Sequence, residues 1–158
     1  PLSGATTGTG LTQFKSSGTW TISAPVSDDM TYNHYSNGID KSYSVQFSGN
    51  QAKVYAEKSF GLGIVGASVD GGTETMVDLY AATRVEQQLL YTSPMLASGT
   101  HTLKVRITGN KNAASTGAYA SADRVDIISS SGSADTTAPS APTGLTGTAV
   151  SAARVDLT

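Results

Sequence analysis

The sequence predicts an all-β protein whose strands form a two-sheet antiparallel β-sandwich. Apolar residues alternate with a period of two over many short stretches, and they almost nowhere recur at helical spacing. Each stretch is bounded by Gly, Asn, Asp or Ser, which are the residues that favour turns. A chain of 158 residues has room for one hydrophobic core, and eight predicted strands suit two sheets packed around it.

The clearest alternation predicts four strands, at residues 42–48, 52–57, 63–70 and 100–108. Weaker alternation predicts four more, at residues 19–23, 73–80, 85–91 and 122–129. The inward-facing positions of the clearest strands are Tyr43, Val45, Phe47, Val65, Ala67, Val69, Leu103, Val105 and Ile107. His101 shares the parity of Leu103, so we expect a hydrogen-bonded histidine on the inward face rather than a catalytic one.

The composition changes near residue 129, where a Ser/Gly-rich stretch is followed by two prolines, a pattern typical of an extended linker. We therefore divide the chain into a β-sandwich module at 1–131, a linker at 132–143 and a last segment at 144–158. The string "TTAPSAPTGLTGTAVSAARVDLT" resembles the opening of fibronectin type III domains. This resemblance implies that the last segment contains the first strands of such a domain, at residues 145–150 and 154–157.

Charge and cysteine content argue against several classes of protein. Only 14% of the residues are charged and the net charge is -2, which leaves no basic field to attract nucleic acid. The absence of cysteine excludes disulfides and thiolate metal sites. No apolar run approaches the length of about 18 residues that a membrane helix needs. Low charge with abundant Ser, Thr and Gly is typical of bacterial extracellular modules, so we expect a secreted monomer cut from a longer protein whose targeting signal lies elsewhere.

The order of the strands predicts where the loops lie. Because short connections make successive strands antiparallel, consecutive loops emerge at opposite ends of the sandwich. One end then receives the connections at residues 49–51, 71–72 and 92–99. The other end receives the loops at residues 28–41, 58–62, 81–84 and 109–121. Most of the longer loops are therefore predicted to share one end, where a binding site would form.

These longer loops carry aromatic and multi-donor polar residues, a mixture that suits sugars. A pyranose presents an apolar C–H face that can cover an aromatic ring, and hydroxyls that need fixed donors and acceptors. Acidic and basic residues of the loops balance, which slightly favours a neutral glycan over an anionic one. The candidate ligand-binding residues are Tyr32, His34, Tyr35, Lys58, Arg84, Lys111 and Asn112.

The candidate residues also have structural explanations. The aromatic residues near Tyr35 could pack their loop against the sandwich, and Lys111 and Asn112 in "TGNKN" could form a turn. Arg84 could pair with Glu86 on the surface. Phe60 lies in the same loops, but a phenylalanine more often fills a core than serves as a sugar platform.

Catalysis finds little support in the sequence. It contains neither the G-x-S-x-G motif of a nucleophile elbow nor the H-E-x-x-H spacing of a zinc site. Asp70 is followed by Gly71 and Gly72, which predicts a hairpin turn rather than an acidic catalyst. We therefore expect a non-catalytic module.

Four segments share a recognisable order and spacing: "SYSVQFSGNQAKVYAEKSFGLGIVGASVDGG", "MVDLY", "QLLYTSPMLASGTHTLKVRITGNKN" and "ADRVDII". They resemble the galactose-binding-like β-sandwich modules of bacterial glycoside hydrolases and other cell-surface enzymes, over about residues 20–129. The resemblance implies a jelly roll, a carbohydrate ligand in the loops at one end, and a covalently linked catalytic domain that acts on polysaccharide. The alternative is a structural spacer or adhesion domain without a sugar site.

Members of this family often hold a structural calcium ion, and the resemblance implies where its ligands would lie. Asp123 matches the acid that opens the last strand, whereas "GTWTIS" supplies no acid in the first strand. Ala122 stands where relatives place a sugar-binding asparagine. We expect no required cofactor, and calcium stays an open possibility at this point.

Overall fold

The computed structural model describes residues 2–3, 13–22, 34–129, 147–151 and 154–157, and the side chains of residues 13–21 and 35–129. Every regular element in this part of the chain is a strand, which confirms the all-β prediction, and no helix in it is long and apolar enough to cross a membrane. The first seven strands are β1 Leu2–Ser3, β2 Phe14–Ser17, β3 Thr21–Ile22, β4 His34–Ser36, β5 Ser42–Gly49, β6 Gln51–Lys58 and β7 Ile64–Val69. The others are β8 Thr75–Asp78, β9 Val85–Thr92, β10 Gly99–Ile107, β11 Ala120–Ala122, β12 Arg124–Ile128, β13 Gly147–Ser151 and β14 Arg154–Leu157.

Two antiparallel sheets form the sandwich. One has five strands in the order β2-β5-β10-β7-β8, and the other has four in the order β1-β12-β6-β9. Because β5, β7 and β10 lie in one sheet while β6, β9 and β12 lie in the other, the chain crosses between sheets at most connections. A smaller sheet has the order β11-β4-β3, and its strands β11 and β4 directly precede β12 and β5 in the chain. Strands β13 and β14 pair with each other in a separate hairpin.

The core lies between the two larger sheets and follows the predicted alternation. Val45 and Phe47 of β5 and Leu103 of β10 are fully buried from one sheet, and Val125 of β12 is fully buried from the other. Each buried side chain of this size stabilises the fold by about 1.5–3 kcal/mol relative to exposure. Trp20, which directly precedes β3, packs edge-on against Tyr43 of β5, with ring centroids 5.7 Å apart.

Four short strands differ from the predicted elements. Strand β1 has two residues, too few to show alternation, and in β2 Phe14 is the one buried residue, so neither strand was predicted. His34 and Tyr35 were predicted to lie in a loop but belong to β4, and the end of the predicted loop at residues 109–121 belongs to β11. These two segments pair only with each other and with β3, so their strand character depends on partners that are remote in sequence.

Among the irregular backbone positions, the sequence predicts the turn at Asp70 but not the bulge at Gln87. Asp70 and Gly71 both have positive φ, and the amide of Gly72 donates to the carbonyl of Val69 at 2.9 Å, so the predicted hairpin turn is present as a type I′ turn. Gln87 also has positive φ, where β9 changes register against β6. This bulge at an edge strand was not predicted; such irregularities oppose pairing with a second chain.

Candidate functional site

The described parts of the predicted long loops gather at one end of the sandwich, as the strand order predicted, whereas residues 28–33 of the first loop lie outside the described residues. We call residues 37–41, 58–63, 79–84 and 108–119 the rim. Within it the amide of Ser59 donates to the carbonyl of Leu79 at 3.1 Å, and the amide of Gly63 donates to the carbonyl of Tyr119 at 2.8 Å. Ile39 packs so close to Gly109 that a Cβ there would lie 2.8 Å from its Cγ1. All four rim segments are therefore in mutual contact or share a neighbour.

The short connections gather at the opposite end, which contains residues 49–51, 70–74 and 92–99. The amide of Leu96 donates to the carbonyl of Asn50 at 2.8 Å, and Asn50 Nδ2 donates to Ser98 Oγ at 3.1 Å. His101 Nδ1 lies 2.7 Å from Asp70 Oδ2, and its Nε2 lies 2.9 Å from the carbonyl oxygen of Ala97. The His101 side chain is only 14% exposed, so the expectation of a hydrogen-bonded inward histidine is confirmed.

Two aromatic residues meet at the rim. Tyr35 on β4 and Tyr119 in the 108–119 segment approach edge to face, with ring centroids 6.1 Å apart at an interplanar angle of 63°. Tyr119 is 38% exposed, while Tyr35 is half-buried. Backbone pairing positions both residues: Tyr35 pairs with Ser121 on β11, and Tyr119 forms an isolated parallel bridge with Leu62. The pair therefore presents aromatic surface to solvent on a fixed frame.

Phe60 lies in the turn after β6 and does not fill the core. Its side chain is 57% exposed, so the interpretation of Phe60 as a core plug is wrong. Leu62, two residues later, is buried instead and provides the inward apolar contact of this segment. The physical reason is that the tight turn after β6 leaves Phe60 outside the sandwich end while Leu62 enters it.

The described residues do not include Tyr32, and they include His34 without its side chain. The backbone of His34 pairs with Ala122 on β11. Lys58 is the last residue of β6, is half-buried, and pairs with Val85. The structure thus brings Tyr35 and Lys58 to the rim end of the sandwich.

The other predicted polar residues make internal contacts. Arg84 Nε lies 2.7 Å from Glu57 Oε2 and 3.3 Å from Glu86 Oε1, so it pairs with Glu86 and also with a second glutamate. Asn112 Nδ2 donates to Asp78 Oδ2 at 2.7 Å, and its Oδ1 accepts from the amide of Ala114 at 3.0 Å. Lys111 is exposed, and its Nζ donates to the carbonyl of Ser115 at 2.8 Å. These side chains shape the loops of the rim.

The role of Ser115, a buried residue that connects the 108–119 and 58–63 segments of the rim, was not predicted from the sequence. Ser115 is 4% exposed, and its Oγ lies 2.7 Å from the carbonyl oxygen of Leu62, 3.0 Å from that of Phe60 and 2.9 Å from that of Gly117. No pattern in "NAASTGAYA" distinguishes this serine from the others. The exposure of Tyr119 and Phe60 also had no sequence signal beyond their position in predicted loops.

The described residues offer no carboxylate cluster for a metal ion. No group of three or more His, Asp or Glu residues comes together among them. Asp123, which the resemblance matched to a calcium ligand, is 2% exposed and lies near the buried Tyr43. Burial, and second the negative charge of Asp123, raise the pKa of the Tyr43 phenol. Among the described residues, Asp123 is thus not joined by the two further acidic or histidine side chains that would make such a cluster.

Comparison with known proteins identifies a fold relative but no family. No protein-family model matches the chain, and no curated protein matches it. A solved structure of xanthan lyase from Paenibacillus is similar with a TM-score of 0.53 and 16% sequence identity. The match covers 73% of this chain and 12% of that chain. At this identity the similarity shows the fold alone, and the chain corresponds to a small part of that enzyme's length.

Proposed function

We propose that this protein is a non-catalytic module that binds carbohydrate at the rim and holds an attached polysaccharide-active enzyme on its glycan. The observation that carries the proposal is the Tyr35–Tyr119 pair, an aromatic surface exposed at the loop end of a β-sandwich. A pyranose can lay its C–H face on such a ring while its hydroxyls meet the polar groups of the surrounding loops.

Two further points support a carbohydrate ligand. The fold relative is named as a xanthan lyase, an enzyme directed at a polysaccharide, and the likeness covers a small part of it, as expected for an accessory module. The rim also carries both signs of charge, at Lys111 and Asp40 for example, which fits a neutral glycan better than a strongly anionic one.

Tethering explains how a weak sugar site would be useful. A module joined to an enzyme by a short linker turns each encounter between enzyme and polymer into an effectively intramolecular one. We expect the whole protein to act outside the cell, as a monomer, with neither nucleic acid nor membrane as partner and without a required cofactor. We also expect the last segment of the chain to belong to a fibronectin type III domain that separates the module from its neighbour.

Affinity gel electrophoresis tests the proposal. The protein is run in gels that contain plant, algal or microbial polysaccharides, beginning with xanthan and neutral glucans. We expect retardation by at least one polymer, and we expect Tyr119→Ala to weaken binding by about 1–3 kcal/mol, as for other hot-spot aromatics. Met95→Ala is the matched control, because Met95 is a large, 67% exposed side chain at the opposite end. An absence of retardation in every gel would contradict the proposal.

A structural spacer is the second candidate, and one observation favours it. Arg84 Nε and Asn112 Nδ2 contact carboxylates within the protein, so part of the polar rim already has a structural role. A spacer would run at the same speed in all gels, and reducing-sugar assays would stay at background for either candidate.

A further inference from the structure

We propose that Phe60 is a second sugar-contacting surface of the rim, so that the ligand is an oligosaccharide spanning Phe60 and Tyr119 rather than a single sugar ring. This inference rests on the proposed function and adds to it a contact residue and a minimum ligand length. Four structural features support it, namely the exposure of the ring, the fixation of its backbone, the contact of its turn with the segment of Tyr119 and the polar groups nearby.

The exposure of Phe60 is the first feature. A phenylalanine that leaves 57% of its surface in water gains little from burial and has no polar atom to hydrate. Met76 and Met95 on this protein are similarly exposed, but their flexible thioether chains present no flat face. Phe60 offers the flat apolar face that the C–H side of a pyranose can cover.

The backbone beneath the ring is held firmly. The carbonyl oxygen of Phe60 accepts from the amide of Thr116 at 2.8 Å and from Thr116 Oγ1 at 3.1 Å, and it lies 3.0 Å from Ser115 Oγ. The next residue, Gly61, accepts from the amide of Tyr119 at 3.3 Å. A ring mounted on a fixed backbone loses less freedom when a ligand binds, so it contributes more to affinity than a ring on a mobile loop.

Phe60 and Tyr119 lie on two segments of the rim that are hydrogen-bonded to each other. The carbonyl of Ser59 accepts from the amide of Leu62 at 3.3 Å, so Phe60 and Gly61 form the turn that precedes the bridge between Leu62 and Tyr119. One pyranose covers one ring, so a ligand that uses both Phe60 and Tyr119 needs at least two linked sugars.

Exposed polar residues lie in the 108–119 segment, which contacts the turn of Phe60. Thr116 and Asn110 are exposed. The Lys111 ammonium donates one of its three N–H groups to the carbonyl of Ser115. These groups can meet the hydroxyls at the edge of a sugar whose face lies on an aromatic ring.

Calorimetry with a matched set of variants tests the inference. The polymer that retards the wild-type protein most is hydrolysed, and its monosaccharide, disaccharide and longer oligosaccharides are titrated into wild type, Phe60→Ala, Phe60→Leu, Phe60→Trp and Met95→Ala. We expect Phe60→Ala and Phe60→Leu to weaken binding of the oligosaccharide at least tenfold, while Phe60→Trp and Met95→Ala bind like wild type. We also expect the monosaccharide to bind wild type at least tenfold more weakly than the oligosaccharide, with little further loss in Phe60→Ala.

Each result has one meaning. Unchanged melting temperatures in all four variants show that the losses come from the contact surface, and Phe60→Leu retains the apolar volume if Phe60→Ala folds poorly. If wild type binds and both Phe60→Ala and Phe60→Leu bind equally well, the inference is wrong and the proposed function stands. Equal affinity for monosaccharide and oligosaccharide overturns the inference in the same way. If no polymer retards wild type, both the proposed function and the inference fail.

Discussion

Ser115 shows how one buried hydroxyl can organise a loop end. Its single proton can be donated to one carbonyl at a time, and the shortest contact, at 2.7 Å, is to the buried carbonyl of Leu62. Its oxygen also lies 3.4 Å from the amide nitrogen of Gly117, close enough to accept a hydrogen bond. The Ser115 side chain therefore adds to the backbone hydrogen bonds that join the 58–63 and 108–119 segments of the rim.

Removal of this hydroxyl has a defined expected cost. Ser115→Ala leaves a buried carbonyl without its donor, so we expect the free energy of unfolding to fall by about 1–3 kcal/mol. Urea unfolding followed by the fluorescence of Trp20, the single tryptophan, measures the change. Ser48→Ala is the control, since Ser48 is an exposed serine of β5 and its loss should stay within about 0.5 kcal/mol. Equal stability of the two variants would show that the Ser115 hydroxyl does not join the segments.

His101 predicts a pH dependence. Both of its ring nitrogens face oxygen atoms, the carboxylate of Asp70 and the carbonyl of Ala97, and only the protonated ring can donate to both. The hydrogen bond to Asp70 and then that to Ala97 raise the pKa of His101 above its ordinary value, and the same contact with His101 lowers the pKa of Asp70. The stabilisation by the charged ring is therefore fully present below the ordinary histidine pKa and is lost as the pH rises through the raised one.

A titration followed by NMR of the imidazole protons measures the pKa of His101, and thermal unfolding at a series of pH values measures its consequence. We expect the melting temperature to fall as the pH passes through that pKa. We expect Asp70→Asn to return the pKa of His101 toward its ordinary value and to flatten the fall. A pKa at or below about 6.5 in the wild type would contradict this account.

At the scale of strands, Gly66 on β7 has a role that its residue type alone does not reveal. A Cβ at this position would overlap the carboxylate of Glu74. That carboxylate receives two hydrogen bonds from Arg106 on β10, from Nε at 2.8 Å and from Nη2 at 2.6 Å, and Arg106 Nη1 also donates to Asp40 at 2.8 Å. The missing side chain of Gly66 thus leaves room for an ion pair that links the loop before β8 to the central strand.

This packing predicts the sign of a substitution. Alanine normally stabilises a strand relative to glycine, but Gly66→Ala should lower the free energy of unfolding by about 1–3 kcal/mol, the usual cost of overpacking. Chemical denaturation of Gly66→Ala, Glu74→Ala and the double variant forms the test. Because Glu74→Ala removes the obstructing carboxylate, the added methyl group should cost little or nothing in the double variant. Additive losses would show that the two residues do not compete for space.

The elements that could be predicted are those whose own residues carry the signal. Strands β5 and β10 show long alternation, and their buried residues match the predicted inward set. The "DG" pair at Asp70 likewise specifies its own turn. Strand β4 has only three residues, and Tyr35 became part of it through pairing with β11, which no local pattern encodes. For the same reason the contacts of Asn112 with Asp78 and of Lys111 with Ser115 could not be inferred from "TGNKN".

At the scale of the whole molecule, the alternation of strand direction determines the placement of the loops more than any single motif does. Alternating connections placed the long loops together at the rim and the short ones at the opposite end, and this arrangement could be predicted without any contact information. Ser129 lies at the opposite end, because its Oγ donates to the carbonyl of Ser48 at 3.2 Å and the carbonyl of Ile128 accepts from the amide of Asn50 at 2.8 Å. The rim and Ser129 are therefore at opposite ends of the sandwich.

This polarity predicts where a bulky group can be attached without loss of binding. The chain has no cysteine, so a single introduced cysteine can be labelled uniquely with a maleimide–polyethylene glycol polymer. Ala113 is exposed in the 108–119 segment of the rim, and Met95 is exposed at the opposite end.

We expect the polymer at Ala113→Cys to weaken retardation in the affinity gel at least tenfold by covering Phe60 and Tyr119. The same polymer at Met95→Cys should leave the affinity unchanged, because Met95 lies at the end of the sandwich opposite the rim. The unlabelled variants control for the substitutions themselves. If the polymer at Met95 blocks binding and the polymer at Ala113 does not, the glycan is bound at the end that contains Met95 and Ser129, and the rim is not the binding site.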